Sequence, residues 1–216
     1  MPINTNKLIA LIKEEIQKQL PGREAHQLMS PRHRVLNPTN EQKPRPSAVL
    51  IMLYPKNSDT HIVMIKRAEY DGVHSGQIAF PGGKKDKNDK DLLDSALRET
   101  FEEIGVRRND LDIIGKLSPL FIPVSNMCVH PWIGFYKDRP VFVKQDKEVQ
   151  QVLSIPLIKL LEEEAITQSI FSGQKYEVEA PCYHVDGLRI WGASAMILSE
   201  FLAIVHKLPL NKIRTP

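Results

Sequence analysis

Arg98 is followed by three glutamates in the segment Arg98-Glu99-Thr100-Phe101-Glu102-Glu103-Ile104-Gly105-Val106. Wound as a helix with Glu99 at the origin, the segment puts Glu102 at about 300° and Glu103 at about 40°. Leu93, Ala96, Leu97, Phe101 and Ile104 fill the arc from about 60° to 200°, so three carboxylates share one edge and the opposite side is apolar. Left in water, Glu99 repels both other glutamates, at about 0.2–0.5 kcal/mol per pair. A hard divalent cation reverses the sign of that interaction. Mg²⁺ takes oxygen ligands in octahedral array and keeps waters or substrate phosphates in its remaining positions, so such an edge facing a cleft suits phosphate chemistry. A solvated acidic face is the plainer alternative, but it leaves the accompanying glycine loop and Arg98 without a reason.

Upstream lies Gly76-Gln77-Ile78-Ala79-Phe80-Pro81-Gly82-Gly83. Gly82-Gly83 lets a backbone carbonyl approach an ion closely. Asp89 or Asp91 can cap the first helical turn, Asp89 alternatively contributing to the site, and Gly105 supplies the stop. Asp94 and Arg98 are i,i+4 partners, and Arg98 is also four residues before Glu102, so Arg98 can fix a carboxylate in one orientation.

These residues need a scaffold. Ala48–Leu53 and His61–Ile65 are β-branched apolar runs joined by a turn, which predicts a hairpin. Further strand signals occur at Asp112–Leu117, Pro131–Tyr136, Val149–Leu153, Tyr176–Ala180 and Tyr183–Val185, the last turning through Asp186-Gly187 into Arg189–Trp191. Helical periodicity covers Leu92–Ile104 and Ser194–His206, with a shorter stretch at Leu157–Glu164. Leu8, Ile9, Leu11, Ile12, Ile16 and Leu20 make an N-terminal amphipathic helix, either a dimer contact or packed on its own domain. Residues 22–46, polar and punctuated by Pro31, Pro38, Pro44 and Pro46, read as a surface linker. Mixed strands and helices predict an α/β layer structure with a partly antiparallel sheet.

Composition excludes several classes. The 216 residues carry 29 Lys+Arg against 26 Asp+Glu. That near balance, with 42% hydrophobic residues, fits a folded protein and removes disordered or collagen-like readings. No block of like charge marks a partner for long nucleic acid. No apolar run reaches the roughly 20 residues needed to span a bilayer, so no membrane partner is expected. Cys128 and Cys182 lack metal-type spacing and read as reduced thiols, and Glu14 and Glu15 argue against a signal peptide or transit helix. A cytoplasmic protein is expected.

The stretch from Gly83 to Val106 resembles the Nudix box, Gly-x5-Glu-x7-Arg-Glu-U-x-Glu-Glu-x-Gly-U, where U is a bulky aliphatic residue. Asp89 stands in place of the first Glu, one extra residue separates it from Arg98, and Thr100 occupies the first U position. Ile62–Ala68 together with His74–Gly83 is similar to the signature preceding the box in the coenzyme A pyrophosphatase branch of Nudix hydrolases. Pro119–Gly134 and Ile190-Trp191-Gly192 are similar to the same branch.

This resemblance implies a Nudix fold, an α/β/α sandwich with a mixed, partly antiparallel sheet, over residues 46–216, with residues 1–45 as helix and linker. It implies metal-dependent hydrolysis of a diphosphate in coenzyme A or acyl-coenzyme A, giving 3′,5′-ADP and (acyl-)4′-phosphopantetheine. The alternatives are another nucleoside diphosphate derivative (ADP-ribose, a nucleotide sugar, a nucleoside triphosphate) or a non-catalytic binding module. The implied cofactor is Mg²⁺ or Mn²⁺, held by Glu99, Glu102, Glu103 and Gly83. The implied catalytic set is Glu99, Glu102 and Glu103, with Arg98 orienting a carboxylate. For the small-molecule nucleotide substrate, Arg67, Lys66, His74, Gly82 and Ser125 are the expected contacts. A surface charge explains Arg67 and Lys66 as well, and a loop or turn explains His74 and Ser125. Glu148 reads equally as an extra carboxylate near the metals or a strand-end charge. Trp191 suits an adenine stack or, better, core packing. Arg32, His33, Arg34, Lys43 and Arg45 read as loop charges or contacts to a 3′-phosphate.

Overall fold

Ala48–Leu53 and Ile62–Ile65, the middles of the two central strands, are apolar at every position because both faces of the sheet are covered there. In the computed structural model, which describes residues 4–32, 34–69, 75–172 and 177–213, helices α1 (Thr5–Glu15) and α2 (Gly22–Leu28) precede β1 (Arg45–Lys56), β2 (Asp59–Arg67), β3 (Ile78–Ala79) and β4 (Gly82–Lys84). Then come α3 (Leu92–Ile104), β5 (Leu111–Lys116), β6 (Leu120–Ile122), β7 (Met127–Tyr136) and β8 (Val149–Pro156). The remaining elements are α4 (Leu157–Leu160), β9 (Ile166–Ser172), β10 (Glu177–Val185), β11 (Leu188–Trp191), α5 (Gly192–His206) and α6 (Leu210–Ile213).

Strand β1 pairs antiparallel with β2 and β4 and parallel with β7, while β8 extends the sheet from β2 and β5 and β6 pair with β7. Side chains alternate across this mixed sheet. Leu50, Met52, Val63 and Ile65 meet Leu97 and Ile104 of α3. Ile51, Leu53, Ile62 and Met64 join Leu8 and Ile12 of α1 and Phe201 of α5 on the other face. The result is the expected α/β/α sandwich. A second sheet of β11, β10 and β9 stands beside it.

Helix α1 is shorter than its apolar stripe suggests, ending at Glu15, with Asn4 capping its start by accepting the Lys7 N–H at 3.0 Å. Its stripe is buried within the chain's own core, Leu8 and Ile12 being fully covered. Residues 22–28 are a helix, not the linker expected from their polarity. Seven residues do not hold a helix by propensity. Tertiary bonds hold this one: fully buried Glu200 of α5 accepts the Gly22 N–H at 3.1 Å and bonds His26 Nε2 at 2.9 Å. Ser199 Oγ donates to the Ala25 carbonyl at 2.8 Å.

Other boundaries also differ. The strands expected at 176–180 and 183–185 are one strand, β10, running through Pro181. The helix expected over 157–164 shortens to α4, followed by a 3-10 turn at Glu163–Ala165. β9 gave no sequence signal because its residues mix Thr, Gln and Ser with Ile without a clean period. Trp191 stacks on Phe171, centroids 4.2 Å apart and planes 8° from parallel, which realises its packing role and occupies one ring face. Among the described residues no helix is long and apolar enough to cross a membrane.

Candidate metal centre

Helix α3 is built to fix its carboxylates. Asp91, not Asp89, is the N-cap, its side chain accepting the Asp94 N–H, and Gly105 closes the helix in the left-handed region at φ 76°. The buried side of α3 includes Ala96, Leu97, Thr100 and Ile104, and Glu103 lies among them with its side chain only 1% exposed. Glu99 sits at the edge of that face. Glu102 points outward, 53% exposed.

The loop before α3 reaches the carboxylates through two glycines. Gly82, at φ 146°, donates its N–H to Glu103 Oε2 at 2.9 Å, and a Cβ there would lie 2.3 Å from the Ala48 carbonyl oxygen. A Cβ on Gly83 would lie 2.5 Å from the Glu99 carboxyl carbon. At Gly82 the φ and the β1 backbone leave room for no other residue type, whereas a side chain at Gly83 would push the Glu99 carboxylate out of its place.

A second loop adds a third carboxylate. Residues after β7 run along the end of α3, where Val143 N–H donates to the Ile104 carbonyl and Gln145 N–H to the Glu103 carbonyl, each at 3.0 Å. This places Glu148, just before β8, beside the helix. One carboxylate oxygen from each of Glu99, Glu103 and Glu148 falls within 4.8 Å of the others. Glu102 is outside that group.

Arg67 ends β2 opposite Val149, where a bulge between Lys66 and Arg67 shifts the register. Such bulges re-aim side chains beside functional sites. The Arg67 guanidinium reaches 3.6 Å from Glu103 Oε1, and its Nε is buried without a hydrogen-bond partner among the described residues. Lys66 pairs in register with Ile78 and Gln151 and is half-buried. Ser125 lies in the β6–β7 turn, its carbonyl accepting Arg45 Nη2 at 3.1 Å and its Oγ buried without a partner among the described residues. It lies at the N-terminal end of β1, next to Arg45. His74, and likewise His33, lies outside the described residues.

Arg98 is the hub of the outer charges. Its Nε and Nη2 grip Asp89 at 2.8 and 3.1 Å, its Nη1 lies 2.9 Å from Glu99 and 3.1 Å from Glu102, and Nη2 also donates to the Lys84 carbonyl. The Arg98–Asp94 pairing expected from i,i+4 spacing does not form, because Asp94 instead meets Arg108 at 2.8 Å. The bidentate bond from Arg98 holds the Asp89 carboxyl well below the usual range. Asp89 thus locks Arg98 and the glycine loop together.

Burial acts the opposite way on the helix carboxylates. It raises Glu103 to about 8, against the Gly82 N–H and Arg67, and Glu99 and Glu148 push the same way as burial. Glu99 is also raised, first by burial, with Arg98 opposing. Three carboxylates crowded together, one of them buried with a single backbone donor, are stabilised in their charged form only by added positive charge. The donor set is all oxygen, which fits Mg²⁺ or Mn²⁺ rather than a soft metal.

A family model described as the NUDIX domain matches residues 43–169. Nudix hydrolase 15, mitochondrial, of Arabidopsis thaliana is 32% identical over 174 residues, covering 77% of this chain and 61% of that protein. The chain therefore spans about three fifths of that plant relative. An uncharacterized Nudix hydrolase, NudL, of Yersinia pestis is 33% identical over 159 residues, covering 71% of this chain and 76% of the relative. Among solved structures, the MutT protein from Methanosarcina mazei superposes with a TM-score of 0.52 at 16% identity, over 79% of this chain and all of that one. That likeness concerns the fold.

Proposed function

Because the chain belongs to the Nudix family, we propose that it is a divalent-cation-dependent diphosphatase acting on a nucleotide derivative, with coenzyme A and its thioesters as preferred substrates. The observation that carries this reading is the convergence of Glu99, Glu103 and Glu148 within 4.8 Å, beside a glycine bend in which Gly82 admits no side chain. Mg²⁺ or Mn²⁺ held by these three, with the Gly83 carbonyl, would supply the positive charge that phosphoryl oxygens and the attacking water require.

The chain's own residues supply the rest. Arg67 offers a guanidinium with a spare buried donor, suited to the oxygens of the diphosphate. Asp89 holds Arg98, and Arg98 holds Glu99 and Glu102, so the carboxylate edge is oriented before substrate arrives. Glu148 is exposed at the rim, and in this reading its carboxylate oxygen outside the cluster accepts the proton of the attacking water and releases it to solvent. In this scheme Glu102 tunes charge from outside the cluster, and Glu148 takes the third liganding position that the resemblance gave to Glu102. Lys66, His74, Gly82 and Ser125 stay as proposed contacts of the substrate.

The coenzyme A preference is supported by the residues from Ile62 to Gly83 and by Asp89 with its longer spacer. A cytoplasmic, reducing location is proposed on the strength of Cys128 and Cys182, both free thiols. The experiment is mass-spectrometric identification of products from a mixture of coenzyme A, ADP-ribose, nucleotide sugars and nucleoside triphosphates, with Mg²⁺ or Mn²⁺. Release of 3′,5′-ADP supports the full reading. Cleavage confined to other diphosphates replaces the substrate, and no cleavage of any of them rejects the enzyme.

A further inference from the structure

β9 is the outer strand of the second sheet: among the described residues it pairs with β10 alone, in an unbroken antiparallel register. Its sequence, Ile166-Thr167-Gln168-Ser169-Ile170-Phe171-Ser172, holds no charge, proline or glycine, in a chain whose residues are 25% charged. A bare edge is a template for pairing with another chain, and folded proteins blunt such edges with lysine, proline, a bulge or short length. β9 uses none of these.

Pro181 of β10 stands opposite Gln168. In an antiparallel ladder each residue turns its N–H and C=O to the same neighbour, alternating along the strand. Proline has no N–H to exchange. Gln168 therefore turns its backbone groups to the outer side, and Ile166 and Ile170, two residues away in each direction, do the same. The side chains of those two isoleucines are 52% and 61% exposed. Free backbone groups and uncovered apolar side chains thus fall on the same residues.

We propose that this edge is an interface with a second copy of the chain, paired antiparallel about a two-fold axis through Gln168. Three features select a second copy over an unrelated strand. Ile166 and Ile170 are equidistant from Gln168, so Ile166 faces the partner's Ile170 and the reverse. An uncharged strand meets its own image without like-charge repulsion. A two-fold interface uses one patch twice, which is the commonest closed symmetry. The pairing joins the two small sheets into one, and none of the three clustered carboxylates belongs to that sheet.

The full chain is examined by sedimentation across a wide concentration range, beside Ile170→Lys and Gln168→Cys. The expected result is a mass rising from one chain to two for the wild type and staying at one for Ile170→Lys, whose diphosphatase turnover is unchanged. Paired residues that exchange hydrogen bonds lie about 5.5 Å apart at Cα, within disulfide range. Gln168→Cys with oxidised glutathione should therefore give a covalent dimer that the wild type does not. A wild-type mass of one chain throughout, a dimer indifferent to Ile170→Lys, or failure of Gln168→Cys to cross-link each overturns the proposal.

Discussion

Two buried glutamates on two helices, Glu103 of α3 and Glu200 of α5, sit on opposite faces of the same sheet and live in opposite circumstances. Glu200 is fully buried and saturated: Gly22 N–H donates to one oxygen, His26 bonds the other, and the Ser118 N–H reaches both at 3.2 Å. Glu103 is as buried but has one backbone donor and an arginine at 3.6 Å, with two further carboxylates beside it. Burial of an ionisable group with complete partners ties elements together. Burial with incomplete partners and like charges around it is retained where something from solution completes the set. Glu200 therefore reads as the clamp that holds α2 to the domain, and Glu103 as the group proposed to take a cation.

Substitution separates the two. Glu103→Gln should lower turnover on the order of 10³-fold, since charge stabilisation at the reacting phosphorus is lost, while circular dichroism and the metal-free melting temperature show an intact fold. Glu200→Ala should do the reverse, costing about 3 kcal/mol by leaving buried donors unpaired, with turnover per folded molecule unchanged. If Glu200→Ala abolished turnover in folded protein, or Glu103→Gln unfolded the chain, the contrast would be broken. Glu148→Gln should raise the Mn²⁺ needed for half-maximal rate by roughly 10–100-fold, measured by activity titration.

The pH dependence sharpens the same contrast. Burial lifts Glu103 to about 8 in the folded state, above its unfolded value of roughly 4.3. Between those values the folded chain binds the extra proton, so its contribution to stability is complete below the lower value and is lost as pH rises to the higher one. Melting curves without metal should therefore show the wild type losing stability from about pH 4.5 to 8 relative to Glu103→Gln. Saturating Mn²⁺ should remove that loss. The smallest effect belongs to Glu102→Gln, roughly tenfold or less in turnover, because Glu102 only bonds Arg98 at the rim.

What could be read from the sequence divides along the same line. The spacing of Glu99 and Glu103 on one helical edge, with Arg98 before them, is local, and helical geometry alone brings these three residues together. Glu148 reaches the cluster only because residues 143 and 145 bond the end of α3, a contact between segments far apart in the chain. That is why its sequence context left two readings open. Arg98 shows the same limit: local spacing offered Asp94, whereas the folded loop delivers Asp89. α2 was unreadable because its stability lies in Glu200, on a helix at the other end of the domain. The layered α/β architecture was readable from the residues, since β1 and β2 carry apolar residues on both faces and α3 and α5 carry helical periodicity, and the resemblance to the Nudix box implied the sandwich.

Anomalous diffraction from crystals soaked in Mn²⁺ decides whether Glu99, Glu103 and Glu148 together hold a divalent cation. A manganese peak is expected about 2.0–2.2 Å from an oxygen of each of the three carboxylates, absent in Glu103→Gln. Manganese bound elsewhere, with those oxygens unliganded, would contradict it.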